Sequence, residues 1–430
     1  MQIPELYNLY LQYTSIQTDT RKIKQDDLFF ALKGPNFNGN QFALQAITAG
    51  AAYAIVDEAI ATANERIIQV PDVLQALQEL AHHHRKQFIG TDKNIPFIAV
   101  TGSNGKTTSK ELIHAVLSSS YTTYTTAGNL NNHIGIPLTI LKIKQDAEIA
   151  IIEMGANHQK EIEGYCVYTM PTHGVITNCG KAHLEGFGGE EGIRKGKGEL
   201  FDYLRLNSGT AFVMWDYDYL QEMSIGIPNL VTYGTHDATV TGHVKDSSEL
   251  LSVSISSGAD IDDIKTNLVG EYNLPNVLLA VAIGKYFNVP GEKIKAALED
   301  YVPSNSRSQL IKKDGNHIIL DAYNANPTSM KAAIDNFARM DGMDKVLILG
   351  GMMELGNESL HEHQNLVDLI STYPWKSVVL VGGDFKRTNH PYLYFDNSTQ
   401  AKVWFHTQHF NGSNILIKGS RSTQMEKVLE

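Results

Sequence analysis

Short uninterrupted apolar runs alternate with longer stretches in which apolar residues recur at helical spacing. The runs at 95–101, 148–153, 174–177, 345–349, 377–381 and 414–417 predict buried strands. A strand covered on both faces needs no polar side, and amphipathic helices between such strands serve as crossovers. The pattern therefore predicts an α/β chain with parallel sheets covered by helices on both faces. Residues 239–255 differ: they are β-prone around a turn at 245–248, which predicts an antiparallel excursion. Two polar stretches, 82–95 and 301–308, the second holding Pro303 among Ser and Asn, predict boundaries. The segments expected are 1–90, 91–302 and 303–430, which suits a 430-residue chain at about 150 residues per domain.

Composition narrows the function. A hydrophobic fraction of 42% is enough to build several cores, and the net charge is −11. An acidic surface argues against broad contact with nucleic acid or anionic membrane, while leaving room for a local phosphate pocket. The two cysteines, Cys166 and Cys179, make no disulfide framework, so a reducing cytoplasm is expected. No basic stretch precedes an apolar one near Met1, and no apolar run approaches the roughly 20 residues a membrane helix needs. Neither a signal peptide nor membrane insertion is expected. His82, His83 and His84 would point about 100° apart on a helix, so a solvated helix surface is expected there rather than a metal site.

The strongest chemical signal follows the run at 95–101. Gly102, Ser103, Asn104, Gly105, Lys106, Thr107 and Thr108 stand between that strand and a helix expected to begin near Thr107. Glycines let backbone amides approach phosphate oxygens, the helix N-terminus adds partial positive charge, and Lys106 adds a full one. The Thr107 hydroxyl suits a magnesium ion. Glu153 ends the next strand, where parallel sheets bind ligands, and reads either as a magnesium ligand or as a helix cap. His183, just past the strand at 174–177, reads either as a metal ligand or as a hydrogen-bonding loop histidine, since magnesium prefers oxygen.

Gly102 stands only three residues before Gly105, and this short loop resembles the nucleotide loop of the Mur ligase family and of related folate-polyglutamate ligases. Further blocks are similar to Mur ligase signatures and follow in order: residues 128–139, beginning Gly128-Asn129 and holding Asn131 and Asn132; Glu153 to His158; Asp321-Ala322-Tyr323-Asn324-Ala325-Asn326-Pro327; and Lys418-Gly419-Ser420-Arg421. Near the N-terminus, Thr18 to Arg21 and Asp27 to Gly34 resemble the family's uridine-nucleotide domain.

The resemblance implies a three-domain architecture: a small N-terminal uridine-nucleotide domain, a central P-loop ATPase domain and a C-terminal Rossmann-like domain. It implies ATP-dependent ligation of D-alanyl-D-alanine to UDP-N-acetylmuramoyl-tripeptide through an acyl phosphate, with ATP and Mg2+, in the cytoplasm. No nucleic acid is implied, and a monomer is the default. Residues 102–108, Asn273, Asn276, Arg307 and Asp321 would bind ATP. Thr20, Arg21, Asn131 and Asn132 would bind the UDP substrate, and Lys106, His183 and Lys197 would be catalytic. Thr107, Glu153, His183 and Lys197 as a carbamate would hold metal; Lys197, rather than nearby Lys195, fits the family's pattern. Read without the resemblance, Arg21 is a surface ion-pair residue, while helix capping and a linker ion pair would account for the Asn273 segment, Asp321 and Arg307.

The sequence departs from the family at Asn38 and Asn40, where Asp-Gly-His is usual, at Tyr272 in place of histidine, and at Gly351 in place of aspartate. Glu354 and His363 fit family positions without an assigned role. Rival expectations are a sister Mur ligase or folate-type ligase, and a regulatory P-loop NTPase that forms no bond. The first should lack Tyr323 to Pro327, and the second leaves the N-terminal and third segments without purpose.

Overall fold

The computed structural model describes residues 1–61, 64–90, 94–304, 306–342 and 344–430. The chain forms two compact units. The first comprises Met1–Val100, Tyr121–Gly155 and Glu161–Gly174; the second comprises Thr101–Ser120, Ala156–Lys160 and Val175–Glu430.

In the first unit, strands Ile16–Gln17, Leu28–Phe30, Tyr53–Val56 and Ile67–Gln69 pair in parallel in sequence order. Phe29, Ala43, Ile47 and Val56 form part of the core beneath them. Helix Val73–Lys86 begins where the Asp72 carboxylate accepts the Gln75 N–H at 2.7 Å, satisfying one of the helix's open donors. The tail of that helix corrects an expectation. His84 is buried rather than solvated, with the Tyr7 hydroxyl at 3.1 Å and Ile143 O at 2.7 Å. Arg85 is buried too, donating to Thr169 O and Met170 O and lying 3.7 Å over the Phe97 ring. The start of the 82–95 stretch is therefore packed helix; residues 91–93, beside the boundary expected at 90/91, lie outside the described residues. The strands expected at 95–101 and 148–153 form as Phe97–Thr101 and Ile149–Glu153, parallel and fully buried, with Thr123–Thr125 parallel on the other side of Ile149–Glu153.

In the second unit, Thr210–Met214 pairs in parallel with Asn229–Gly234. The antiparallel excursion is present as Val240–Asp246 against Ser252–Ser257. Its reversal falls slightly later than expected, where the Asp246 carboxylate accepts from Ser248 N–H and Oγ–H, each at 3.1 Å. Helix Lys106–Ser118 packs on the almost wholly buried helix Leu274–Tyr286 so closely that a Cβ at Gly284 would lie 2.7 Å from Val116.

A second sheet fills the end of the chain, with strands ordered Gln309–Lys313, Asn316–Asp321, Asn414–Lys418, Lys345–Gly350, Ser377–Val381 and Leu393–Phe395. All pairings are parallel except the first hairpin. The strand Asn414–Lys418 lies between Asn316–Asp321 and Lys345–Gly350, so the carboxyl ends of these three parallel strands stand side by side, the edge at which open α/β sheets bind ligands. Asn305, within the expected 301–308 boundary, is outside the described residues, as are residues 62–63 and Met343.

Candidate active site

The phosphate loop is held rigidly in the second unit. A Cβ at Gly102, where φ is +142°, would fall 1.9 Å from Thr177 Oγ1. Gly105, at φ +80°, caps the helix that follows, and a Cβ there would meet Asn276 Oδ1 at 2.8 Å. Both positions need glycine for conformation and for close approach. Ser103 N–H donates to Asn178 O at 2.9 Å and its hydroxyl to Gly180 O at 2.6 Å. The Asn104 carbonyl accepts from the Thr177 hydroxyl at 2.6 Å. Lys106 Nζ arches back over the loop to Gly102 O at 2.6 Å and Ser103 O at 3.3 Å. Thr107 and Thr108 occupy the first helical turn.

Behind the loop runs a chain of amides. Asn273 donates to Val269 O at 2.9 Å, Asn276 donates to Asn273 Oδ1 at 2.8 Å, and the Ser109 hydroxyl donates to Asn276 Oδ1 at 2.9 Å. The segment expected to read adenine is thus tied directly to the phosphate-loop helix. Tyr272, where the family's histidine would stand, reaches Ser308 Oγ at 3.1 Å, and burial pushes its hydroxyl pKa up.

His183 sits at the N-cap of the short helix Leu184–Phe187 with a left-handed backbone, and its Nδ1 contacts Glu354 Oε2. A cleft of about 360 Å³ beside this pair is lined by Leu184, Glu185, Gly188, Gly189, Leu355 and Gly356 among others. Lys197 is buried in helix Glu190–Leu206, its amine 3.1 Å from Ala156 O and 4.9 Å from the centre of the Phe187 ring. Lys195 is instead exposed and paired with Glu191.

At the end of the chain, Asp321 and Lys418 are direct partners across parallel strands. Lys418 Nζ lies 2.6 Å from Asp321 Oδ2 and 3.3 Å from Asn324 O. Arg307 stacks its guanidinium 3.5 Å over Tyr323. This part of the chain also touches the loop. Asn326 accepts the Ser329 N–H at 2.9 Å as the N-cap of helix Pro327–Arg339, and donates to Asn104 Oδ1 at 2.7 Å. Lys181 completes the contact, with its N–H on Thr328 Oγ1 at 2.9 Å and its ammonium on Glu362 at 2.8 Å.

In the first unit, Glu153 is buried at its strand end; its N–H donates to Thr126 Oγ1 at 3.0 Å and its carboxylate accepts from Asn131 at 2.8 Å. Asn132 Oδ1 accepts from Ile134 N–H and Gly135 N–H, opening helix Gly135–Ile140. Arg21 is exposed and doubly bonded to Asp19, at 2.9 and 2.8 Å, and Thr20 begins the same short turn. The carboxylate of Glu153 is a hard oxygen donor of the kind a divalent cation takes. Among the described residues no cluster of three or more His, Cys, Asp or Glu side chains that could hold a metal is present.

Models of three Mur ligase segments match: the family's catalytic domain over 12–85, its middle domain over 100–284 and its glutamate ligase domain over 306–420. A UDP-N-acetylmuramoyl-tripeptide–D-alanyl-D-alanine ligase of Bacillus subtilis (strain 168) is 35% identical, the alignment covering 96% of this chain and 92% of the relative. The chain belongs to the Mur ligase family. The Escherichia coli (strain K12) enzyme of the same description is 34% identical over 99% of this chain and 95% of its own. A crystal structure of MurF from Acinetobacter baumannii superposes on this Mur ligase with a TM-score of 0.87 and 31% identity, covering 96% and 92% of the two chains. The three-domain α/β architecture expected of the family is shared.

Within this Mur ligase, the departures from the family pattern have local reasons. Asn40 is buried and bonds Asp57 in both directions, by Nδ2–H to the carboxylate at 2.8 Å and from the Asp57 N–H at 3.0 Å. Asn38 accepts from Asn40 and donates to Glu58 at 3.0 Å. A Cβ at Gly351 would lie 2.7 Å from Gly383 Cα and 3.0 Å from Gly383 N, so no aspartate fits without moving that backbone. His363 is a structural pin: its Nε2 accepts the Met352 N–H at 3.0 Å while Nδ1 meets Ser359 O at 2.7 Å. From the sequence, Asn326 and Lys418 were read only as members of signature blocks, with no role of their own, and Lys181 and Glu362 were given none. For Lys418 a further signal existed, a lysine closing the apolar run Ile415–Ile417.

Proposed function

We infer that this Mur ligase joins D-alanyl-D-alanine to UDP-N-acetylmuramoyl-tripeptide, yielding the pentapeptide precursor of peptidoglycan. It is an ATP-dependent acid–amino-acid ligase. The observation that carries this reading is the bond from Asn326, which caps a helix of the third segment, to Asn104 of the phosphate loop, within a chain that aligns along nearly all its length with ligases of that description.

A carboxylate is a poor electrophile because its charge repels an amine and it lacks a leaving group. In the reaction proposed, an oxygen of the tripeptide's terminal carboxylate attacks the γ-phosphorus and ADP leaves. The dipeptide amine then attacks the acyl carbon, sheds a proton, and phosphate departs from the tetrahedral intermediate. Lys106 neutralises charge on the transferring group, and backbone amides of residues 102–108 hold its oxygens. Asn273 and Asn276 take the adenine, Asp321 the ribose, and Arg307 the phosphates. Thr20, Arg21, Asn131 and Asn132 take the UDP substrate. Thr107, Glu153, His183 and a carbamylated Lys197 would hold magnesium, which when bound adds positive charge and aligns phosphate oxygens. The burial of Lys197 beside the Ala156 carbonyl supports that choice over exposed Lys195.

The division of labour proposed is 1–90 for the UDP substrate, 91–302 for ATP, and 303–430 for the dipeptide and completion of the nucleotide site. A monomer in the cytoplasm, where ATP and nucleotide-linked precursors are available, is the setting that goes with these substrates. The test supplies ATP, magnesium, D-alanyl-D-alanine and UDP-tripeptides carrying either lysine or diaminopimelate, and follows phosphate release and product mass. Product formation should require all of them, and Lys106→Ala should abolish it while leaving thermal unfolding unchanged. Phosphate release that ignores the tripeptide, or full ligation by Lys106→Ala, would overturn the reading.

A further inference from the structure

Two non-glycine residues of the second unit face each other with left-handed backbones, His183 at φ +54° and Glu354 at φ +60°. That conformation is costly for residues with a Cβ and persists only where the surroundings impose it. Here the side chains meet, imidazole Nδ1 against carboxylate Oε2. The backbones are joined as well, since Glu185 N–H donates to Glu354 O at 3.4 Å. Gly356 sits so close to the histidine's turn that a Cβ there would lie 3.2 Å from that of Glu185. From the other side, His363 grips Met352 and Ser359, on either side of Glu354 in the chain. The loop carrying Glu354 is thus built to deliver its carboxylate to one atom.

The chemistry of the contact then fixes a proton. A carboxylate only accepts, so Nδ1 is the donor of this bond, and on a neutral imidazole a proton at Nδ1 leaves the lone pair on Nε2.

We propose that Glu354 is a positioning residue for the ligation: supplied by the third segment, it locks His183 as the Nδ1–H tautomer and keeps the Nε2 lone pair available to the reacting groups. This rests on the ligase reading above. It makes the competence of His183 depend on residues 351–358 being seated against residues 183–185.

The test compares wild type, Glu354→Gln and Glu354→Ala by long-range 1H–15N correlation of the imidazoles at about pH 8, where the free ring is neutral. His183→Gln assigns the signal. The wild-type ring should show a protonated Nδ1 and a bare Nε2. The glutamine oxygen should keep that pattern, and alanine should lose it. The kcat for ligation should fall ~10–100-fold in Glu354→Ala, with KM for the UDP substrate unmoved, and glutamine should restore most of it. A wild-type ring protonated at Nε2, or an alanine variant with unchanged tautomer and kcat, would overturn the proposal. Wild-type protein that makes no pentapeptide would sink the ligase reading instead, and the ring spectrum would still decide the pair.

Discussion

Lys418→Met isolates the ion pair at the strand ends. Lys418 is 2% exposed and its partner Asp321 17%, with 2.6 Å between the charged atoms. Methionine keeps the length and apolar packing of the stem while removing the charge. The Asp321 carboxylate then keeps the Ser308 N–H at 3.4 Å, a long bond. Removing one partner of a fully buried pair costs roughly 3–5 kcal/mol; because Asp321 keeps some water, we scale this to about 2 kcal/mol. Asp321→Asn should cost a similar amount by leaving the buried ammonium with the Asn324 carbonyl at 3.3 Å and an amide oxygen. The double variant buries neither charge, so its loss should fall short of the sum by about 1–2 kcal/mol. The assay is urea unfolding in a Trp215→Phe background, where fluorescence comes from Trp375 and Trp404 near this sheet. If Asp321 binds ribose, Lys418→Met should also raise the KM for ATP about tenfold, the worth of one charged hydrogen bond. A single variant as stable as wild type, or strictly additive losses, would refute the reasoning.

Three further outcomes are expected. Asn326→Asp keeps the capping acceptor but loses the N–H given to Asn104, so stability should hold within about 0.5 kcal/mol while kcat/KM for ATP falls about tenfold; unimpaired turnover would remove Asn326 from the site. Gly351→Asp, although it restores the residue usual in the family, should destabilise by about 1–3 kcal/mol through its clash with Gly383, read as a lower thermal midpoint. Burial pulls the His173 pKa down to about 4 from 6.5, so between those values the unfolded chain binds the extra proton. Its contribution is therefore present above about pH 6.5 and lost as pH falls toward 4, by up to ~3 kcal/mol, a slope that His173→Gln should flatten in unfolding midpoints across that range.

The fold was legible wherever double-sided burial left a strand no polar position. The runs at 345–349, 377–381 and 414–417 appear as Lys345–Gly350, Ser377–Val381 and Asn414–Lys418, each parallel to a neighbour. It was misread where polar residues are buried with partners. Counted by polarity, His84 and Arg85 belong to a linker; in the structure each has backbone carbonyl acceptors, and Arg85 an aromatic face as well. Partners of that kind come from residues 59 to 85 positions away, so no local window contains the reason for the burial.

The same distinction separates what was legible in the site. The phosphate loop carries its chemistry in seven consecutive residues, and reads directly. The asparagines behind it do not, because an amide's role depends on which of its groups are already used. An asparagine side chain offers two N–H donors and two lone pairs. Asn273 commits one donor to Val269 O and one lone pair to Asn276, and Asn276 commits one donor to Asn273 and an oxygen to Ser109. Each therefore retains one N–H beyond these bonds, together with a second lone pair on its oxygen. Adenine presents an adjacent donor and acceptor along one edge, the pairing an asparagine amide matches best. The internal bonds fix the orientation of the two amides, and the capacity they leave is the capacity a base requires. Orientation by one set of hydrogen bonds and recognition by the other are therefore compatible at Asn273 and Asn276, and burial of both residues is what makes the orientation hold.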